Sequence, residues 1–173
     1  DTSTEEAQKQ FYTNFCGVHR MLRYVLPVMR RNQKGIIINI SSVAGVFPIP
    51  FQSMYSASKF ALEAMSEALR LEVKPFGIKV VLVEPGDTRT EFTSRRQIIT
   101  AAGENSVYKE SFTRSLNTMI KDETNGPEPD VVARVVIKIL RRKSPPIRVA
   151  VGASYKTMVL LKRFVPARFA EYI

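Results

Sequence analysis

Tyr55 and Lys59 lie four residues apart in a stretch of helical spacing, so they share one helix face. A tyrosine phenol ionises near pH ~10 in water and is a poor acid or base partner at neutrality. A lysine ammonium one turn away favours the phenolate and brings the phenol into a useful range. Ser42 stands thirteen residues before Tyr55, just past a β-branched run, where its hydroxyl can donate a hydrogen bond to a carbonyl oxygen. A proton donor, a cation that tunes it and an orienting hydroxyl suit proton transfer at a carbonyl or alcohol oxygen. Taken alone, a Tyr-x-x-x-Lys pair is commonly two unrelated surface residues. The ordered set of strand, Ser, loop and Tyr-x-x-x-Lys is far rarer by chance.

Those residues need elements to hold them. Thr2-Ser3-Thr4-Glu5-Glu6 sets hydroxyls three residues ahead of carboxylates, which is a helix start. Phe11, Phe15, Val18, Met21/Leu22 and Val25/Leu26 then recur at helical spacing to about Arg31, with Pro27 as a kink and Lys34-Gly35 as the stop. Ile36 to Ile40 is apolar on both faces, the pattern of a central parallel strand. A loop with Gly45, Pro48 and Pro50 leads to a long helix from Ser53 to Lys74, in which Ala57, Ala61, Ala64 and Ala68 form a small-residue stripe. Pro75-Phe76-Gly77 ends that helix, and Ile78 to Glu84 is a second buried strand closed by Pro85-Gly86. Residues 87–126 lack strong periodicity and are expected to be a lid of loop and short helices. A helix over 127–142, a strand over 148–151 and an amphipathic tail over 154–173, broken at Pro166, complete the chain. The alternation predicts an α/β fold with right-handed crossovers and a Rossmann-like, doubly wound parallel sheet. Such sheets usually have about five or more strands. Three are legible here, so the chain is expected to be the C-terminal half of one domain, with an edge or face of the Ile36–Ile40 strand uncovered.

The segment NISSVAGVFPIPFQSMYSASK, from Asn39 to Lys59, resembles the catalytic core of the short-chain dehydrogenase/reductase family. Asn14-Phe15-Cys16-Gly17 is similar to the family's N-x-x-G helix motif, and Pro85-Gly86-Asp87-Thr88-Arg89-Thr90 is similar to its P-G-x-x-x-T segment. Motifs in this order cover roughly half the chain. The resemblance implies an NAD(P)-dependent oxidoreductase with Asn14, Ser42, Tyr55 and Lys59 as its catalytic set. Tyr55 would be the general acid in carbonyl reduction and the base in alcohol oxidation. Lys59 would hold the nicotinamide ribose and lower the Tyr55 pKa, Ser42 would orient the substrate oxygen, and Asn14 would anchor a proton-relaying water. Asn39, Tyr55, Lys59, Pro85, Gly86, Thr88 and Thr90 would contact the cofactor. Thr88 stands where the family more often has Val or Ile, so a contact there is expected through backbone. Asn14 has an alternative as a helix-interior polar residue, and Thr90 as a cap.

No two of the 8 glycines are closer than nine residues, so no G-x-G fingerprint is present. The pyrophosphate site and the choice between NAD and NADP, of which NADP is preferred, are therefore expected upstream of Asp1. The single Cys16 excludes an internal disulfide framework and a cysteine-built zinc site, and no metal is expected. His19, the one histidine, is expected at the surface or an interface. No G-x-S-x-G elbow supports a serine hydrolase. With 45% hydrophobic and 24% charged residues the composition is globular.

The net charge is +10, from 26 Lys+Arg against 16 Asp+Glu, and the pI is about 9.9. The basic residues are scattered without interleaved stacking aromatics, so no nucleic acid is expected. A basic, non-catalytic binder of acidic lipid or nucleic acid is the rival function, and an isomerase or dehydratase on the same scaffold is a third. In the tail, Met158, Val159, Leu160, Leu161, Phe164 and Val165 alternate with Lys162, Arg163 and Arg168. Such tails resemble those of family members acting on lipophilic alcohols and ketones, such as hydroxysteroid or retinol dehydrogenases. A peripheral membrane contact and a core-capping or interface helix are the other readings. The resemblance implies a homodimer or homotetramer through helices 4–31 and 53–74. The first ten residues are polar and no apolar run approaches ~18 residues, so neither a signal peptide nor a membrane span is expected, and a cytoplasmic location is favoured.

Overall fold

The structure is a computed structural model that describes residues 1–162 and residue 164. Helix α1 (Thr4–Phe11) begins at a capping box: the Ser3 hydroxyl accepts from Glu6 N–H at 3.2 Å, and Ser3 N–H donates to the Glu6 carboxylate at 2.9 Å. A π-helical turn over Tyr12–Cys16 joins it to α2 (Gly17–Arg31), so one long helix spans the expected 4–31 with Pro27 inside it. Strand β1 (Gly35–Ile40) follows, then a 3-10 turn at Val43–Gly45 and the 21-residue α3 (Ser53–Val73). Strand β2 (Ile78–Pro85), α4 (Lys109–Asn125), α5 (Asp130–Leu140), β3 (Arg148–Val151) and α6 (Ala153–Lys162) complete the described chain.

The three strands form a parallel, Rossmann-like sheet in the order β1-β2-β3. Gly35 to Ile40 register with Ile78 to Val83, and Leu82 to Pro85 register with Arg148 to Val151. Side chains alternate across the sheet, and helices cover both faces. Ile37, Ile78 and Val80 pack with Leu22 of α2 and Leu69 and Val73 of α3 on one face. Val81, Val83 and Val151 pack with Ile139 of α5 on the other. β2 is central and almost wholly buried. β1 has no strand partner on its second edge among the described residues, and Ile40 is 48% exposed, as the three-strand pattern predicts.

One element departs from expectation. Residues 87–126 contain the expected loop, with a short 3-10 turn at Thr100–Ala102, and also the 17-residue α4, longer than the short helices expected. Its inward stripe is Phe112, Leu116, Met119 and Glu123 at helical spacing, and the last position is a buried carboxylate. A polar residue at a core-facing position hid the period. The tail forms a helix from Ala153 to Lys162. The break at Pro166, with Arg163, Val165 and Arg168, lies outside the described residues.

Candidate active site

Every expected site residue except Asn14 lies at or beyond the C-terminal end of β1 or β2, or on the first turns of α3, the edge at which open α/β sheets bind ligands. Ser42 follows β1 directly. Its hydroxyl accepts from Ala44 N–H at 3.1 Å and donates to the Pro85 carbonyl at 3.4 Å, so the ends of β1 and β2 are tied through it. The turn after Ser42 packs hard against α3. A Cβ on Gly45 would lie 2.8 Å from Ser41 Oγ and 3.0 Å from Glu63 Cγ, so only glycine fits this approach.

Tyr55 and Lys59 share a face of α3 as their spacing dictates. Lys59 Nζ lies 5.7 Å from the Tyr55 ring centroid and donates to the Ile40 carbonyl at 3.1 Å, the last residue of β1. Burial raises the Tyr55 pKa above its usual value; the Ser42 hydroxyl pulls it down, and the negative charge of Glu123 pushes it up. Burial also lowers the Lys59 pKa, against the opposing pull of Glu63. The rise at Tyr55 runs against the lowering that the family resemblance implies: desolvation is the largest cause at both groups. Both shifts favour the neutral form of the group concerned.

Asn14 sits in the π-helical turn, where its amide nitrogen donates to Ser58 Oγ at 3.1 Å. Ser58 is fully buried and donates to the Tyr55 carbonyl at 2.7 Å, so Asn14 braces the turn that carries Tyr55. A π-turn inside a long helix re-aims a side chain and recurs at functional sites. The Asn39 side chain turns toward α3, donating to the buried Ser66 hydroxyl at 2.8 Å. Past β2, Thr88 Oγ1 donates to the Gly86 carbonyl at 3.0 Å, and Thr90 Oγ1 accepts from Phe92 N–H at 3.1 Å, a local cap. His19 is exposed, on the α2 side of the molecule.

Several residues around this set had no legible signal. The Phe92 ring lies 5.9 Å from that of Tyr55. It is held there by a latch, in which Glu123 of α4 pairs with Arg96 at 2.5 Å and accepts from Thr93 Oγ1 at 2.5 Å. Phe51, at φ 62°, packs edge-on against Phe112 at 5.9 Å and Tyr108 at 6.4 Å. A bulky residue in the left-handed region is strained, and such strain concentrates at ligand sites. Phe92 thus stands beside Tyr55, while Phe51, Tyr108 and Phe112 form an aromatic group joining the loop ahead of α3 to the start of α4. The arrangement can move a proton at an oxygen held by Ser42 beside an apolar wall. Among the described residues no group of His, Cys, Asp or Glu side chains could hold a metal ion.

The short chain dehydrogenase family model matches residues 1–98. A 3-ketodihydrosphingosine reductase of Bacteroides thetaiotaomicron is 48% identical over 169 residues, covering 97% of this chain and 63% of that protein. Retinol dehydrogenase 8 of Bos taurus is 33% identical over 168 residues, covering 92% and 53%. The crystal structure of a short-chain dehydrogenase from Streptomyces avermitilis superposes with a TM-score of 0.77 at 30% identity, covering 99% of this chain and 61% of that one. The chain therefore spans about 60% of the length of the proteins it matches. With the motif residues gathered at one sheet edge and the family match over more than half its length, the chain belongs to the short chain dehydrogenase family.

Proposed function

We propose that the enzyme carrying this chain interconverts a carbonyl and an alcohol on a lipophilic substrate, with NAD or NADP as cofactor and Tyr55 as general acid/base. The observation that carries this reading is the meeting of Tyr55, Ser42 and Lys59 at the ends of β1 and β2, beside an aromatic wall. A nicotinamide fits the same edge. The half-buried Lys59 ammonium, the Thr88 and Thr90 hydroxyls and the backbone of Pro85 and Gly86 offer donors and acceptors there. When bound, that group supplies hydride in reduction or takes it up in oxidation.

The chain's own residues handle the proton. Ser42 Oγ turns from the Pro85 carbonyl to donate to the substrate oxygen, fixing it near the Tyr55 phenol. Tyr55 gives its proton to the developing alkoxide, an event worth about 10²–10⁴-fold in rate for a well-placed acid. Lys59 and Asn14, the first by its charge and the second through Ser58, hold Tyr55 for the next proton. Asn39 would contribute to cofactor contact through its backbone, its side chain being engaged with Ser66. A sphingoid ketone and a retinoid are named in two relatives, and both are long apolar molecules, in keeping with Phe92 beside Tyr55.

The outer faces of the helices favour a homodimer. A groove of about 460 Å³ between α2 and α3, lined by Leu22, Leu26, Met65 and Ala68 among others, lies on the side away from the active site. Met21, Tyr24 and Leu71 are exposed on the same two helices, too much apolar surface for a solvated helix pair. The exposed Leu160, Leu161 and Phe164 beside Lys162 favour peripheral contact with a membrane from the cytoplasmic side. No helix among the described residues is long and apolar enough to cross one.

The test is turnover by the full-length protein of a panel of long-chain ketones and alcohols with each of NADPH, NADH, NADP and NAD. Cofactor-dependent conversion, faster with the phosphorylated form, is the expected result. Salt-sensitive binding to nucleic acid or acidic vesicles, without nicotinamide binding, would replace this function with a non-catalytic one.

A further inference from the structure

Gly152, at φ 103°, turns β3 sharply into α6 and brings Tyr155, in the first turns of that helix, back over the end of β2. The Tyr155 ring lies directly against Gly86. A Cβ on Gly86 would stand 2.0 Å from Cε2, 2.3 Å from Cδ2 and 2.4 Å from Cζ of that ring, so no side chain fits at position 86 while Tyr155 is in place. The phenol then closes on the next residue twice. It donates to the Asp87 carboxylate and accepts from Asp87 N–H at 3.3 Å. The segment is also backed by Gly126, whose Cβ position lies 3.0 Å from Asp87 C and O. The carbonyl of Pro85, one residue before Gly86, is the acceptor for Ser42. Pro85–Asp87 is therefore gripped at three points: by Ser42, by Tyr155 and by the end of α4.

We propose that Tyr155 is a positioning residue, whose ring and hydroxyl hold the Pro85–Asp87 backbone in the shape that receives the nicotinamide. The proposal rests on the cofactor reading above. It assigns α6, 68 residues beyond Asp87, a role in cofactor grip as well as in covering the site. The phenol is well suited to this work and poorly suited to acid/base chemistry. Burial and the facing Asp87 carboxylate push its pKa to about 12, with a smaller push from Asp122, so it stays a neutral hydrogen-bonding group at every working pH. A charged carboxylate accepting from a neutral phenol is also among the stronger hydrogen bonds available to a loop.

The experiment uses the full-length protein. Tyr155→Phe keeps the ring on Gly86 and removes both hydroxyl contacts. The expected result is a dissociation constant for NAD(P)H about tenfold weaker, with kcat at saturating cofactor within about twofold of wild type. Asp87→Ala, which removes the carboxylate contact and keeps the backbone one, should lose somewhat less, Asp87→Asn, which keeps an oxygen facing the hydroxyl, less still, and the double variant Tyr155→Phe/Asp87→Ala should be no worse than Tyr155→Phe. Hydrogen exchange supplies a readout without cofactor: the Asp87 amide should exchange faster in Tyr155→Phe while the β2 amides are unchanged. Unaltered cofactor affinity in Tyr155→Phe, in a wild-type protein that binds NAD(P)H, would overturn this proposal alone. A parallel fall in kcat, affinity and thermal stability across all variants would overturn it in favour of a general packing role. Absence of NAD(P)H binding by the wild-type protein would overturn the cofactor reading and this proposal together.

Discussion

The amide nitrogen of Asn14 donates to Ser58 Oγ at 3.1 Å, and Ser58 passes the contact to the Tyr55 carbonyl at 2.7 Å. Two residues 44 apart in sequence, one in the π-helical turn and one in α3, are joined by this relay through a hydroxyl with no exposure to solvent. Ser58→Ala leaves Asn14 without its partner and frees the turn that carries Tyr55. The unfolding free energy should fall by about 1–2 kcal/mol. Turnover should fall about tenfold with little change in substrate KM, because the loss acts on the placement of Tyr55. Urea titration and steady-state kinetics on the same preparation measure both.

Glu63 and Glu84 face each other beside Arg148, which reaches Glu63 at 3.2 Å, Glu67 at 2.7 Å and Glu84 at 3.4 Å. Neither Glu84 oxygen has a hydrogen-bond partner among the described residues, and its side chain is 0% exposed. Burial raises both carboxyls, Glu63 to about 7, with the Glu84 charge adding to the rise and the Ser41 hydroxyl and Arg148 opposing it. A carboxyl with a folded pKa above its unfolded one stabilises the fold at low pH and loses that contribution as pH rises through the folded value. Stability should therefore fall on the order of 1–3 kcal/mol between about pH 4.5 and 7.5. Glu63→Gln should flatten this slope and melt higher than wild type at pH 8. An unchanged slope in thermal melts from pH 5 to 8 would show that the pair carries no shared proton.

Glu123 bears on the Tyr55 phenol as well as on Thr93 and Arg96. Its negative charge raises the Tyr55 pKa, so Glu123→Gln should lower it. The acid limb of the pH profile for alcohol oxidation, which needs the phenolate, should move to lower pH by several tenths of a unit. The same change leaves Arg96 buried without its partner, and residues 90–96 should exchange amide hydrogens faster. A profile that moves to higher pH would contradict the charge argument.

The proposed homodimer through α2 and α3 has a direct test. Ala68 lines the groove between these helices and is exposed in the single chain. Ala68→Arg adds a bulky charge there without touching the sheet. Sedimentation of the full-length protein should show dissociation of the dimer, with the Tyr55 site still competent for cofactor binding in the monomer.

What could be read from the linear chain followed its covalent spacing. Tyr55 and Lys59 share a face because they are four apart on a helix, and Ser42 stands at a strand end because the Ile36–Ile40 run dictates that strand. Both faces of β2 were legible from continuous apolar character. Partners chosen by distant packing were not. Ser58 looks like any helix serine until Asn14 arrives from another helix, and Phe92 reaches Tyr55 through Glu123, a residue whose burial contradicts its polarity. Tyr155 gave no sign of its contact with Gly86, because the close approach depends on the turn at Gly152. The motif glycine at 86 was visible, but the packing that requires it was not.

Tyr55→Phe in the full-length protein tests the central claim most directly, because it removes one oxygen and leaves the ring against Phe92. Hydride transfer should be followed at the nicotinamide absorbance, on a substrate that the wild-type protein turns over. A fall in kcat of about 10²–10⁴-fold, with cofactor affinity retained, is the predicted result. Wild-type turnover in Tyr55→Phe would contradict the assignment of Tyr55 as the general acid/base.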